Sequence, residues 1–167
     1  MHTILKTTAT VMMLTCTAGN VWAATQSSAC ASTADIYAVR TAAVQQRLMV
    51  AALTCHAASL YNKFVLSYQG ELQASDHQLQ SFFRRLYGQS GEANYHSFKT
   101  RLANTSSMQS IKESSYCTNA EATFNVALSG SKKSLAAFVS GQSSQAEKGF
   151  SPCDVITASA KTGPRTQ

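Results

Sequence analysis

Between Ala34 and Tyr68 the chain reads ADIYAVRTAAVQQRLMVAALTCHAASLYNKFVLSY, within its longest stretch free of glycine and proline. Ile36, Ala43, Val50, Ala57 and Phe64 recur every seven residues, with Val39, Leu53 and Leu60 interleaved, which is one apolar stripe at helical spacing. Val44, Leu48, Ala51, Cys55 and Val65 widen the stripe, so the helix is expected to be covered on more than one side. Straight, it would be about 50 Å long, and the polar Thr54-Cys55-His56 marks where a bend is expected. A rod with so broad an apolar face needs other helices around it. Only 2 prolines and 8 glycines interrupt 167 residues, which argues against a many-stranded β fold, and 44% hydrophobic residues suffice for one core. The expected fold is therefore all-α: a small four- to five-helix bundle around a long N-terminal helix, held by two disulfides.

The partner helices follow in order. Ser32-x-x-Asp35 and Thr33 offer side-chain oxygens to cap the first helix. Gly70 weakens or ends it. Ser75-x-x-Gln78 has the form of a capping box, predicting a second helix over Asp76–Tyr87 with Leu79, Phe82, Phe83 and Leu86 on one face and Gly88 as its C-terminal cap. A third is predicted over Glu92–Asn104, broken by Asn104-Thr105-Ser106-Ser107. A fourth is predicted over Met108–Leu128, with Ile111, Cys117, Ala120 and Phe124 on its apolar side. A short fifth is predicted over Lys132–Ser140.

The N-terminus has a different character. A charged start through Lys6, an apolar run over Ala9–Ala18, and Val21-Trp22-Ala23 in small-x-small order have the layout of a secretory signal peptide. The apolar run is about 10 residues, half of what a membrane span needs. Cys16 follows Thr15 rather than a small residue, and so is expected to leave with the signal. Residues 1–23 are assigned as signal peptide, 24–33 as a flexible leader and 34–140 as the helical domain. Residues 141–167 form a polar C-terminal segment tethered at Cys153 with a disordered tail.

Cleavage near Ala23 takes 23 residues from 167 and leaves 144, with four cysteines, Cys30, Cys55, Cys117 and Cys153. An even set in an exported chain implies two disulfides. A helix over Ala34–Cys55 would separate Cys30 from Cys55 by about 30 Å, whereas bridged Cα atoms lie within about 7 Å. Two pairings remain. Antiparallel order brings Cys117 level with Cys55 and returns the chain end to Cys30, which favours Cys55–Cys117 with Cys30–Cys153 over Cys30–Cys117 with Cys55–Cys153.

No sequence motif names a reaction. His56, His77 and His96 lie about twenty residues apart, without the tight ligand spacing of a metal site, so neither metal nor cofactor is expected. There is no Gly-x-Ser-x-Gly elbow and no Cys-x-x-Cys pair. Glu92, in SGEANYH, is the one candidate general acid, for a cell-wall glycan hydrolase that would need a second carboxylate; an acidic residue in a first helical turn is also what the helix dipole favours.

The densest polar segment, Phe82–Ser107, interleaves Arg84, Arg85, Lys99 and Arg101 with Tyr87 and Tyr95. Guanidinium groups beside aromatic rings can hold an anionic group by paired hydrogen bonds and stacking. Losing Lys6 leaves 13 cations against 8 acids, a balance of +5, without a basic block that would signal nucleic acid. The functional expectation is a periplasmic or secreted binding module, not transmembrane once processed. Its expected partner is an anionic glycan, a lipid headgroup or an envelope protein.

Overall fold

The computed structural model describes residues 30–129, 134–142 and 144–153. The expected signal peptide and the tail beyond Cys153 lie outside these residues. Besides two 3-10 turns, the described residues form five α-helices of ten or more residues and one short α-helix: α1 (Thr33–Thr54), α2 (Ala58–Ser67), α3 (Gln69–Tyr87), α4 (Gly91–Lys112), α5 (Tyr116–Leu128) and α6 (Leu135–Ser140). They contain no β-strand, only an isolated bridge between Ala31 and Pro152. No helix among them is long and apolar enough to cross a membrane.

α1 begins as its sequence predicts. The Ser32 hydroxyl accepts from the Asp35 amide at 3.2 Å, and the Asp35 carboxylate accepts from the Ser32 amide at 2.8 Å, a reciprocal cap. The helix stops at the polar triplet. Thr54 turns its hydroxyl onto the Val50 carbonyl at 2.9 Å, and His56 takes a left-handed φ of 57°. That conformation costs a non-glycine residue about 1–3 kcal/mol, which the adjoining Cys55–Cys117 bridge and the buried ring of Phe64 offset. The expected rod is thus two helices meeting at a corner, and Leu53, placed on its buried stripe, is instead 74% exposed beside that corner.

α1 is a spine shared by two cores. Toward its start, Ala38, Val39 and Ala42 pack with Leu79, Phe82 and Phe83 of α3 and with Tyr95 and Phe98 of α4. Toward its end, Val44, Leu48 and Ala51 pack with Phe64, Tyr68, Leu72, Phe124 and Phe138. The side chains on opposite faces of one helix therefore close both halves of the bundle, which is why the apolar stripe is wide.

Three predicted boundaries move. α3 starts at Gln69 rather than Asp76, because Leu72, Ser75, Leu79, Phe82 and Phe83 share one buried face. Ser75 is not a cap; it lies inside the helix with no hydrogen bond to its hydroxyl among the described residues. Gly70 sits in the first turn of α3 rather than ending a helix. α4 continues through Asn104–Ser107 to Lys112, and the break falls at residues 113–115, so the fourth long stretch splits differently from the predicted Met108–Leu128. Each Ser, Thr or Asn in a helix costs only about 0.5 kcal/mol relative to alanine, which packing beside Leu102 and burial of Ser106 override. Ile111 consequently belongs to the end of α4 and is 79% exposed, not buried as expected.

Both bridges form as the antiparallel order favours: Cys55–Cys117 with Cα atoms 5.4 Å apart and Cys30–Cys153 with Cα atoms 4.8 Å apart. The second is reinforced by the backbone. The Ala31 amide donates to Ser151 at 2.8 Å and the Cys153 amide donates to Ala31 at 3.0 Å, so the leader is fixed at Ala31 as well as at Cys30.

The α3–α4 hairpin turns on two glycines. Gly88 has φ 56°, a region open to glycine. At Gly91 a Cβ would lie 2.6 Å from the Arg84 Cα and 2.9 Å from the Phe83 carbonyl oxygen. Gly91→Ala therefore forces two backbones apart; we expect a loss of about 1–3 kcal/mol, read as a lower urea midpoint, whereas an unchanged midpoint would mean the hairpin is looser than this.

Candidate functional site

The hairpin nominated by sequence divides into cations that have acids and cations that do not. Arg85 leans over the Phe82 ring, 5.4 Å from its centroid, and its Nη2 donates to Oδ2 of Asp35. Asp35 is fully buried and also accepts from the Ser32 hydroxyl at 2.7 Å and from Gln78 Nε2 at 2.8 Å. Burial pushes its carboxyl up, but Ser32, Gln78 and Arg85 together outweigh this and hold it below the ordinary aspartate range.

Tyr95 and Lys99 serve a second acid. The Tyr95 hydroxyl donates to Asp76 Oδ1 at 2.7 Å, Lys99 Nζ donates to the same oxygen at 2.8 Å, and Gln80 Nε2 reaches Oδ2 at 3.0 Å. Burial again opposes ionisation, yet these donors hold Asp76 low, while Asp76 and Tyr95 hold Lys99 above its ordinary value against the same desolvation. Three of the six nominated binding residues are thus committed to structure.

The remaining three are available. Arg84 is exposed and pairs with no acid among the described residues. It lines an open cavity of about 310 Å³ with Gln80, Glu92, Tyr95 and His96. Tyr87, 41% exposed, stacks on Phe83 with centroids 5.6 Å apart. Arg101 lies 6.0 Å from the Phe98 ring centroid, within cation–π range.

Glu92 stands at the rim of the same cavity. Its side chain is 86% exposed and lies 3.8 Å from His96 Nε2 one turn on. Among the described residues no second carboxylate lines this cavity. Its position, in the first turn of α4, is where the helix dipole favours an acid. Among the described residues no three His, Cys, Asp or Glu side chains come together as a metal site would require.

Two cations on α1 were not singled out by sequence. Arg40 makes a two-pronged pair with Glu147, both contacts at 2.7 Å, and so straps the C-terminal segment onto the spine. Arg47 has no acid. Its Nη2 donates to the neutral Gln142 Oε1 at 2.8 Å, and it lines a cavity of about 400 Å³ between α1, α4 and residues 144–146. Burial pushes its guanidinium down from the ordinary value. The signal available in sequence was an arginine set between Val44 and Leu48 within a broad apolar stripe.

Comparison with protein-family models, with curated proteins and with solved structures returns no match.

Proposed function

We propose that the mature chain is a non-enzymatic binding module of the periplasm or the extracellular space, with an anionic partner. The observation that carries this reading is the division of charge on the α3–α4 hairpin: Arg85 and Lys99 are neutralised by Asp35 and Asp76, while Arg84 and Arg101 meet no acid among the described residues. An exposed cation repays little when paired at a surface, so leaving these two without an acid among the described residues carries little folding penalty and supplies an electrostatic foothold. The two disulfides and the charged, apolar, small order of the N-terminus support export. An acidic envelope glycan or an anionic lipid headgroup matches these groups, as does an acidic face of an envelope protein.

The test is binding of the oxidised protein to an immobilised acidic glycan and to anionic vesicles as salt is raised. Screening shortens from about 30 Å at 0.01 M to about 8 Å at 0.15 M, so binding should weaken over that range. Arg84→Glu with Arg101→Glu should lower affinity at least tenfold, about 1.4 kcal/mol, without lowering thermal stability. Equal binding by that variant and the parent would dismiss the hairpin as the contact surface. Release of soluble fragments from purified cell-wall glycan, abolished by Glu92→Gln, would replace this reading with a hydrolase.

A further inference from the structure

The partly buried cations of this fold follow a pattern with one exception. Arg40 has Glu147, Arg85 has Asp35 and Lys99 has Asp76, each at salt-bridge distance. Arg47 is half-buried on the same spine and has no carboxylate among the described residues; its guanidinium donates instead to the amide oxygen of Gln142. A guanidinium carries five N–H donors in a planar fork suited to a carboxylate. Taking such a charge out of water without an opposite charge is unfavourable. In a chain that supplies acids to its other partly buried cations, the missing anion points to a ligand.

The space for one is present. The cavity at Arg47 measures about 400 Å³, within the roughly 300–1,000 Å³ of small-molecule clefts. Ala43, Val44 and Leu102 give it an apolar wall, and Thr105, Ser106 and Gln109 of α4 add hydrogen-bonding groups. Among the described residues Arg47 is the single charged one lining it, which matches one negative charge rather than the two of a phosphate. The far wall, residues 144–146, is held beforehand by the Arg40–Glu147 pair and by the Cys30–Cys153 bridge, so little ordering is left to oppose binding.

We propose that this cavity binds a small organic carboxylate, the carboxylate on Arg47 and the apolar body against Ala43, Val44 and Leu102. Neither Arg84 nor Arg101 lines the cavity, so this site stands or falls separately from the hairpin surface.

The experiment is an amide NMR titration of the oxidised protein with hexanoate, with hexanamide as its uncharged counterpart, and with inorganic phosphate. Hexanoate should give saturable shifts at Val44, Arg47, Ser106, Gln109 and Gln145, with Kd near or below about 1 mM. Hexanamide and phosphate should each bind at least tenfold more weakly. Arg47→Gln should remove the charge and weaken hexanoate at least tenfold. Ala43→Leu should do the same by filling the cavity with Arg47 intact, and so serves if Arg47→Gln fails to fold. Equal binding of hexanamide or phosphate, full binding by either folded variant, or no saturable shift with hexanoate would overturn the assignment.

Discussion

Replacing Cys55 and Cys117 together by serine should lower the unfolding free energy by about 4 kcal/mol. The bridge joins residues 62 apart, and in the chain-entropy view closing a loop of that length removes about 4 kcal/mol of freedom from the unfolded chain. The location makes the effect hard to absorb. Cys55 caps the end of α1 and Cys117 lies in the first turn of α5, so the bridge joins the spine to the helix that supplies Phe124 and Ala127 to the second core. It also steadies the corner at which His56 adopts its left-handed backbone. In urea, with a slope of about 2 kcal/mol per molar, the midpoint should fall by roughly 2 M. A fall of less than about 0.5 M would mean that packing alone sets the angle between α1 and α2.

Asp35→Asn should cost about 2–3 kcal/mol at neutral pH. Removing one member of a buried ion pair costs about 3–5 kcal/mol, discounted here because Arg85 is one-third exposed and can turn to water. The amide would also lose part of the reciprocal cap with Ser32 and turn one acceptor of Gln78 or Arg85 into a donor. The pH dependence has a definite sign. Asp35 and Asp76 are both held below their ordinary values in the fold. Their contribution is complete above the unfolded carboxylate value of about 4 and is lost as pH falls through the lower folded values. The parent should therefore lose stability steadily below about pH 4, and Asp35→Asn should lose less over the same interval. Urea midpoints at pH 7 and pH 3 decide this: a deficit in the variant that is as large at pH 3 as at pH 7 would mean that folding does not lower the Asp35 carboxyl.

How far the sequence could be read depended on which interactions were local. The α1 cap was legible because Ser32 and Asp35 meet within one turn. The corner at Thr54-Cys55-His56 was legible because three polar groups interrupt an apolar stripe. Helix length barred Cys30 from Cys55 and left two disulfide pairings, and the antiparallel helix order favoured the one that forms. The start of α3 was misjudged because Ser75-x-x-Gln78 has the form of a cap, while the deciding contacts are those of Leu72 and Phe82 with distant helices. The polar run Asn104–Ser107 stayed helical for a related reason: Ser106 is buried and faces a cavity shared with a segment about forty residues on, and no local window shows that.

The candidate surface was legible only in outline. Sequence located the basic, aromatic hairpin, but a cation's role depends on whether an acid stands opposite, and Asp35 is fifty residues from Arg85 in the chain. Asp76 was likewise read as the start of a helix rather than as the partner of Lys99. Arg47 escaped notice because its distinguishing feature is a missing partner.

The central claim is that the paired hairpin charges hold the fold while the unpaired ones hold the partner. The direct measurement compares Arg84→Gln and Arg85→Gln, neighbours of equal charge, in the same acidic-glycan binding assay and the same urea titration. Arg84→Gln should weaken binding several-fold and leave the urea midpoint in place; Arg85→Gln should lower the midpoint and leave binding by the folded protein unchanged. Binding lost equally in both variants, or a midpoint lowered equally in both, would contradict it.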